Sequence, residues 1–317
     1  MKVLITGAGG FLGGRLVHAL LAGPADLPPI TSIVAADTLA PSVGDPRVEP
    51  RTGSIVDPAF ADSLVDDEVA VVYHLAAVLS GGSEADFDAG MRVNVDGTRT
   101  LLEACRARGR RPRFVFSSTV AVFGGTLPAV VPENYVLLPE TTYGIGKAIA
   151  ELLVGEYSRR GFVDGVACRL ATVTVRPGQP NSALSSFVSG IIREPLAGID
   201  TTCPVPLDTP IWVSSPAVVT RNLVHAARLD PLLLGTRRAL NLPGLSVTAG
   251  EMLDSLERYG GREARARVRL ERDERVARAM CGWPAALDDR RAIDLGFVRD
   301  SSADAIVRAY AEEQAAR

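Results

Sequence analysis

The sequence predicts an α/β protein built on a doubly wound parallel sheet, with a smaller C-terminal lobe. Three observations predict it. Apolar runs of strand length alternate with helix-period segments through the first half of the 317 residues, the pattern of β-α-β units around a sheet buried on both faces. The first strand runs into a glycine-rich turn, Gly7-Ala-Gly-Gly10-Phe11-Leu12-Gly13. After about Pro177 the alternation gives way to prolines at 177, 180, 195, 204, 206 and 210.

Taken in order, strands are expected over residues 2–6, 30–36, 69–75, 113–117 and 166–170, each a short β-branched or apolar run. Helices are expected over 12–21, 86–108 and 141–160 from their periodicity. Further helices are expected over 182–193, 216–229, 251–259 and 303–313. The second of these starts with Ser215-Pro216, an N-cap followed by proline at the first helical position. The division expected is 1–177 for a nucleotide-binding domain and 178–317 for a lobe with segments returning to it.

Composition narrows the function. With 34 basic and 37 acidic residues the net charge is −3, and no basic face argues for nucleic acid. Cys105, Cys168, Cys203 and Cys281 form no CxxC pair, and His18, His74 and His225 show no ligand spacing. No structural metal is expected, and a reducing, cytoplasmic setting is. Residues 114–132 are uncharged, but Gly124-Gly125 and Pro128 mark strand and loop rather than a membrane span. The N-terminal apolar run is too short for a signal peptide.

The motifs follow. Gly7, Gly10 and Gly13 permit a tight turn, close approach of backbone to a pyrophosphate, and close packing of helix on strand. The helix beyond aims its N-terminal amides at that phosphate. Asp37 ends the second strand, where a carboxylate accepts hydrogen bonds from the adenosine ribose. Thr38, Leu39, Ala40 and Pro41 bring no cation for a 2′-phosphate, so NAD is expected over NADP; Arg15 is the one nearby base. Tyr143 and Lys147 stand four apart on one helix face, and a nearby ammonium favours phenolate. The chain holds only two lysines, Lys2 and Lys147, against 32 arginines, so a compact point charge is wanted at 147. Ser117-Ser118-Thr119 ends a strand, where open α/β sheets bind ligands.

Together with His74-Leu75-Ala76-Ala77 and Asn94-Val-Asp-Gly-Thr98, these motifs resemble an extended short-chain dehydrogenase/reductase with a Rossmann-type sheet. The resemblance implies Thr119 as the catalytic hydroxyl and Tyr143 as the general base. It implies that Lys147 holds the nicotinamide ribose and lowers the tyrosine pKa, and that Asn94 supports the lysine. It places the cofactor against Gly7, Gly10, Phe11, Leu12, Gly13, Asp37, Ser54, Ile55, Leu75, Ala76, Ala77, Ser117, Tyr143, Lys147, Leu170 and Thr172. Substrate-side candidates are Ser80, Asn181, Ser185 and Arg193 beside Thr119 and Tyr143. Arg193 has the fork to grip a carboxylate, with an exposed helix arginine as the alternative.

Ser80-Gly-Gly-Ser-Glu84, Arg176-Pro-Gly-Gln-Pro-Asn181 and residues 189–196 are similar to a D-erythronate dehydrogenase group. Gly282-Trp283-Pro284 resembles the tail of short-chain-type L-threonine dehydrogenases; Trp283 reads better as core than as pocket. The activity implied is NAD-dependent oxidation of a small sugar acid, with D-erythronate to the 2-oxo acid as first choice. The rivals are a nucleotide-sugar epimerase or dehydratase, oxidation of another hydroxy acid, and a non-catalytic NAD-sensing protein, against which intact Thr119, Tyr143 and Lys147 argue. The family also implies a homodimer through helices 86–108 and 141–160.

Overall fold

β1 (Lys2–Thr6) is the hub of the sheet. It pairs in parallel with β2 (Ser32–Asp37) on one side and β4 (Val69–His74) on the other. β2 carries β3 (Val48–Thr52) outward, and β4 pairs with β5 (Arg113–Thr119), again in parallel. With β6 (Asp164–Leu170) and β7 (Ala239–Asn241) the order is β7-β6-β5-β4-β1-β2-β3. The order reverses between β1 and β4, so a crevice opens at the C-terminal ends of those strands. The computed structural model covers residues 1–24, 27–39, 43–180 and 183–315, with backbone only at 275, 278, 279 and 281.

The five expected strands are present, within two residues at either end. β3 was not expected. Its sequence, Val-Glu-Pro-Arg-Thr, is mostly exposed and carries a proline, features of an edge strand that hide it from an apolar-run reading.

Helices that accompany this sheet include α1 (Phe11–Leu21), α2 (Pro58–Leu64), α3 (Ser80–Ala85), α4 (Phe87–Met91), α5 (Thr98–Arg108) and α6 (Thr142–Arg159). One correction concerns the continuous helix expected over 86–108. It is α4, then a π-helical turn over Arg92–Gly97, then α5. The Thr98 hydroxyl bonds back to the Asn94 carbonyl at 2.7 Å, and such an inserted turn re-aims the side chains within it. The core beneath packs Leu4, Val34 and Val72 of the sheet against Leu101, Leu102 and Val154 of the helices.

The chain divides into two compact units. One holds Met1–Val122, Thr141–Arg169 and Thr220–Leu240; the other holds Phe123–Glu140, Leu170–Val219 and Asn241–Arg317. In the second, Leu245–Thr248 runs antiparallel to Pro210–Ser214, which pairs in parallel with Thr172–Val173. Helices α7 (Ser186–Leu196) and Ala249–Ala266 bury Val188, Ile191, Ile192, Met252 and Leu256 in one core, against which Trp283 packs. A reciprocal cap between Thr248 and Glu251 starts the longer helix. α7 begins four residues later than expected and runs on through Pro195 in its last turn. Among the described residues no helix is long and apolar enough to cross a membrane.

Candidate active site

The glycine turn is built by close approach. Gly7 has φ +76°, and a Cβ there would lie 2.7 Å from the Ala76 amide nitrogen. A Cβ on Gly13 would lie 2.1 Å from the Gly7 carbonyl oxygen, so α1 packs on the turn only without one. The Gly10 amide donates to the Gly7 carbonyl at 3.1 Å, and Gly10 is the N-cap of α1 with no side-chain cap. Phe11 and Leu12 open that helix, half-buried. A helix N-terminus left uncapped behind a turn with no room for side chains fits a pyrophosphate. Asp37 lies beside it: its carboxylate accepts from the Gly9 amide at 2.9 Å and from Leu39 N and Thr38 Oγ1 at 3.2 Å.

The other expected cofactor contacts divide between the units. In the first, Leu75 N donates to the Thr6 carbonyl at 3.1 Å and Ala76 N to Thr6 Oγ1 at 3.5 Å, with half-buried Ala77 following. Ser54 Oγ accepts from Val56 N, and Ile55 is buried against the position of Gly97. Leu170 ends β6 and Thr172 opens the next short strand; both fall in the second unit.

Thr119, Tyr143 and Lys147 come together at the C-terminal end of β5. Thr119 Oγ1 accepts from the Ala121 amide at 3.1 Å, which fixes its rotamer. Thr141 caps α6 by accepting from the Gly144 amide at 3.0 Å, and Glu84 accepts from the Thr142 amide at 2.7 Å. Tyr143 thereby leads the helix's first turn. One turn on, Lys147 is 2 % exposed. Its Nζ donates to the Ser117 carbonyl at 2.8 Å and lies 4.6 Å from the Phe116 ring centroid and 5.8 Å from that of Tyr143. Ser117 Oγ itself donates to the His74 carbonyl at 3.1 Å.

Burial works on both ionisable groups. It pushes the Tyr143 phenol up to about 12, against the pull of a hydrogen bond with Thr119. It pushes the Lys147 ammonium down to about 7, with Glu151 pulling the other way. The resemblance implies a phenol lowered by the lysine. In this geometry desolvation outweighs the Thr119 hydrogen bond and the net shift is upward.

Asn94 acts on backbone. Its Oδ1 accepts from Val78 N at 2.9 Å and its Nδ2 donates to Val78 O at 3.0 Å, so the π turn pins the segment that follows β4. A chain of bonds supports it. Thr98 Oγ1 gives its proton to the Asn94 carbonyl, so it accepts from His74 Nε2 at 2.9 Å. His74 Nδ1 then accepts from Thr6 Oγ1 at 2.7 Å. The imidazole is fully buried, and burial, then Lys147, pushes it down to about 3. It is a neutral Nε2–H tautomer set by its neighbours.

The substrate-side candidates are dispersed. Ser80 is buried at the start of α3. Ser185 is the N-cap residue of α7 in the second unit, and Asn181 lies outside the described residues. Arg193 requires correction: it is neither exposed nor unengaged. It is buried, with Nη1 donating to the Arg176 carbonyl at 2.9 Å and Nη2 to Glu194 at 2.5 Å, so its fork is spent on its own unit. Sequence reasoning met His74, Thr98 and Ser118 only as members of its motifs, without a role, and missed Glu84, Glu151 and Arg169. Of those three, only Glu151, one turn beyond Lys147, carried a local signal.

The model for the NAD dependent epimerase/dehydratase family matches residues 3–227. The chain is 50 % identical to the D-erythronate dehydrogenase of Cupriavidus necator over 319 residues, covering 99 % of this chain and 98 % of that one. It is 41 % identical to the D-erythronate dehydrogenase of Haemophilus influenzae, covering 98 % and 99 %. Among solved structures, a nucleoside-diphosphate-sugar epimerase from Agrobacterium tumefaciens superposes with a TM-score of 0.95 at 40 % identity, covering 100 % of this chain and 95 % of that one.

Proposed function

Because the chain belongs to the NAD dependent epimerase/dehydratase family, we propose that it oxidises D-erythronate at carbon 2 to the 2-oxo acid. The observation that carries this substrate is the 50 % identity over nearly the whole length to the Cupriavidus necator enzyme. Bound NAD would supply the hydride acceptor for the substrate carbon. Tyr143 Oη accepts the hydroxyl proton, and Thr119 Oγ1 holds the same oxygen in place. Lys147, fixed by the Ser117 carbonyl, supplies the positive charge that favours the phenolate once it forms. Asn94 keeps the segment after β4 in register, and the glycine turn with Asp37 holds the dinucleotide.

On the substrate side we assign Ser80, Ser185 and Asn181 to the hydroxyl groups. Arg193, neutralised by Glu194, shapes the 176–180 loop. We also propose a homodimer. Phe87 on α4 and Leu152 on α6 are 62 % and 71 % exposed, with Ile145 at 42 %, an apolar surface that a second copy would cover. Cys105, Cys168 and Cys203 are free and buried, which suits the cytoplasm.

A second reading, nucleotide-sugar epimerisation, is favoured by the likeness to the nucleoside-diphosphate-sugar epimerase of Agrobacterium tumefaciens. NADH production across four-carbon hydroxy acids, set against interconversion of UDP-sugars, decides between them. Turnover of D-erythronate alone supports the dehydrogenase; interconversion alone overturns it.

A further inference from the structure

Beneath the reactive set lies a buried ion pair that the mechanism above does not use. Arg169 on β6 grips Glu151 bidentately, Nη2 to Oε2 at 2.8 Å and Nε to Oε1 at 2.9 Å. Their side chains are only 6 % and 4 % exposed. Ser118 Oγ donates to the same Glu151 Oε1 at 2.5 Å. The three residues span α6, β5 and β6. Two of them have a neighbour in the reactive set: Glu151 lies one helical turn beyond Lys147, and Ser118 directly precedes Thr119. Burying such a pair is costly, and hydrophobic residues of similar volume would fill the space without that cost.

We propose that Glu151, clamped by Arg169 and Ser118, is a positioning residue for the oxidation: it is the buried counter-charge of Lys147 and the anchor of the strand end that presents Thr119. The groups facing Lys147 leave little else for the first task. From its own helix come Tyr143 and Glu151, and from β4 the neutral His74. β5 offers the Ser117 carbonyl and the Phe116 ring. Arg169 on β6 engages Glu151 itself. Among these, Glu151 is the anion. This rests on the reading of Thr119, Tyr143 and Lys147 as the reactive set.

The chain's two lysines make the test direct. Full-length protein labelled at lysine Cε gives two NMR signals, and Lys2→Arg assigns them. In Glu151→Gln the Lys147 titration is expected to fall by about one pH unit or more. kcat near neutral pH should fall about tenfold, KM for NAD should change less than threefold, and Glu151→Asp should restore most of both. Should Glu151→Gln not fold, Glu151→Leu with Arg169→Met leaves no guanidinium stranded and is expected to shift Lys147 the same way. Ser118→Ala removes a single hydrogen bond and should lower kcat several-fold at constant KM for NAD. Lys147 titrating as in the wild type in a folded variant without the carboxylate overturns the proposal, as does wild-type kcat in Ser118→Ala. The lysine signal needs no substrate, so it stays informative even where Tyr143→Phe retains turnover and the reactive-set reading fails.

Discussion

On our reading Asp37 selects the cofactor, and its carboxylate is asked to do two things at once. It accepts from the Gly9 amide at 2.9 Å, bracing the glycine turn, and it stands where the adenosine ribose is recognised. Asp37→Asn separates them, because the amide oxygen still accepts from Gly9 while the charge is gone. Hydrogen bonds to a charged acceptor are worth about 1.5–3 kcal/mol, so losing the charge should cost NAD roughly 10- to 100-fold in kcat/KM. NADP should gain, since a carboxylate repels a 2′-phosphate. Asp37→Ala also strands the Thr38 and Leu39 donors and should lower Tm as well as NAD affinity. The assay is kcat/KM for both cofactors in the wild type and the two variants, with Tm alongside. A wild type that prefers NADP, or an Asn variant with an unchanged NAD/NADP ratio, refutes the assignment.

Four further outcomes are expected. Tyr143→Phe keeps the ring and loses the proton acceptor, so turnover should fall at least about a hundredfold with NAD affinity retained, measured by steady-state rates and calorimetry. Lys147→Met should abolish turnover yet raise Tm at pH 6. The buried ammonium's folded pKa, about 7, lies below its free value of 10.5, so its charging penalty is full below pH 7 and fades as pH rises to 10.5; a Tm gain absent at pH 6 contradicts this. His74, held at about 3 against a free value of 6.5, favours the fold above pH 6.5, and that contribution is lost as pH falls from 6.5 toward 3; its imidazole resonances should show neutral Nε2–H at pH 5. Phe87→Glu with Leu152→Glu should yield a monomer by sedimentation.

The sequence exposed what is local. Central strands such as Val3-Leu4-Ile5 are apolar because both faces are buried, and the glycine turn and the Tyr143–Lys147 spacing lie within a few residues of one another. β3 escaped because an exposed edge has no need of apolar residues and tolerates Pro50. The π turn escaped because a single inserted turn, Arg92–Gly97, leaves hydrophobic periodicity undisturbed on either side. The supporting networks are non-local: Thr6 meets His74 across 68 residues and Ser118 meets Glu151 across 33. Arg193 is a related case, since a helix arginine reads the same in sequence whether it is exposed or buried against the Arg176 carbonyl and Glu194.

The opposed shifts of Tyr143 and Lys147 have one origin and one consequence. Desolvation disfavours whichever form is charged, so it raises the phenol and lowers the ammonium together. Raising the phenol from 10 to about 12 makes a lone phenolate about 3 kcal/mol harder to form. Tyr143 by itself is therefore a poor proton acceptor at neutral pH. The burial that penalises each charge also strengthens the attraction between two opposite ones, so phenolate and ammonium are favourable only as a pair. The Phe116 ring, 4.6 Å from Nζ, offers part of the stabilisation that water would give the ammonium. The Ser117 carbonyl offers another part. On the proposed mechanism, proton acceptance depends on everything that keeps Lys147 charged and still, and replacing that lysine should cost turnover as surely as replacing the tyrosine does.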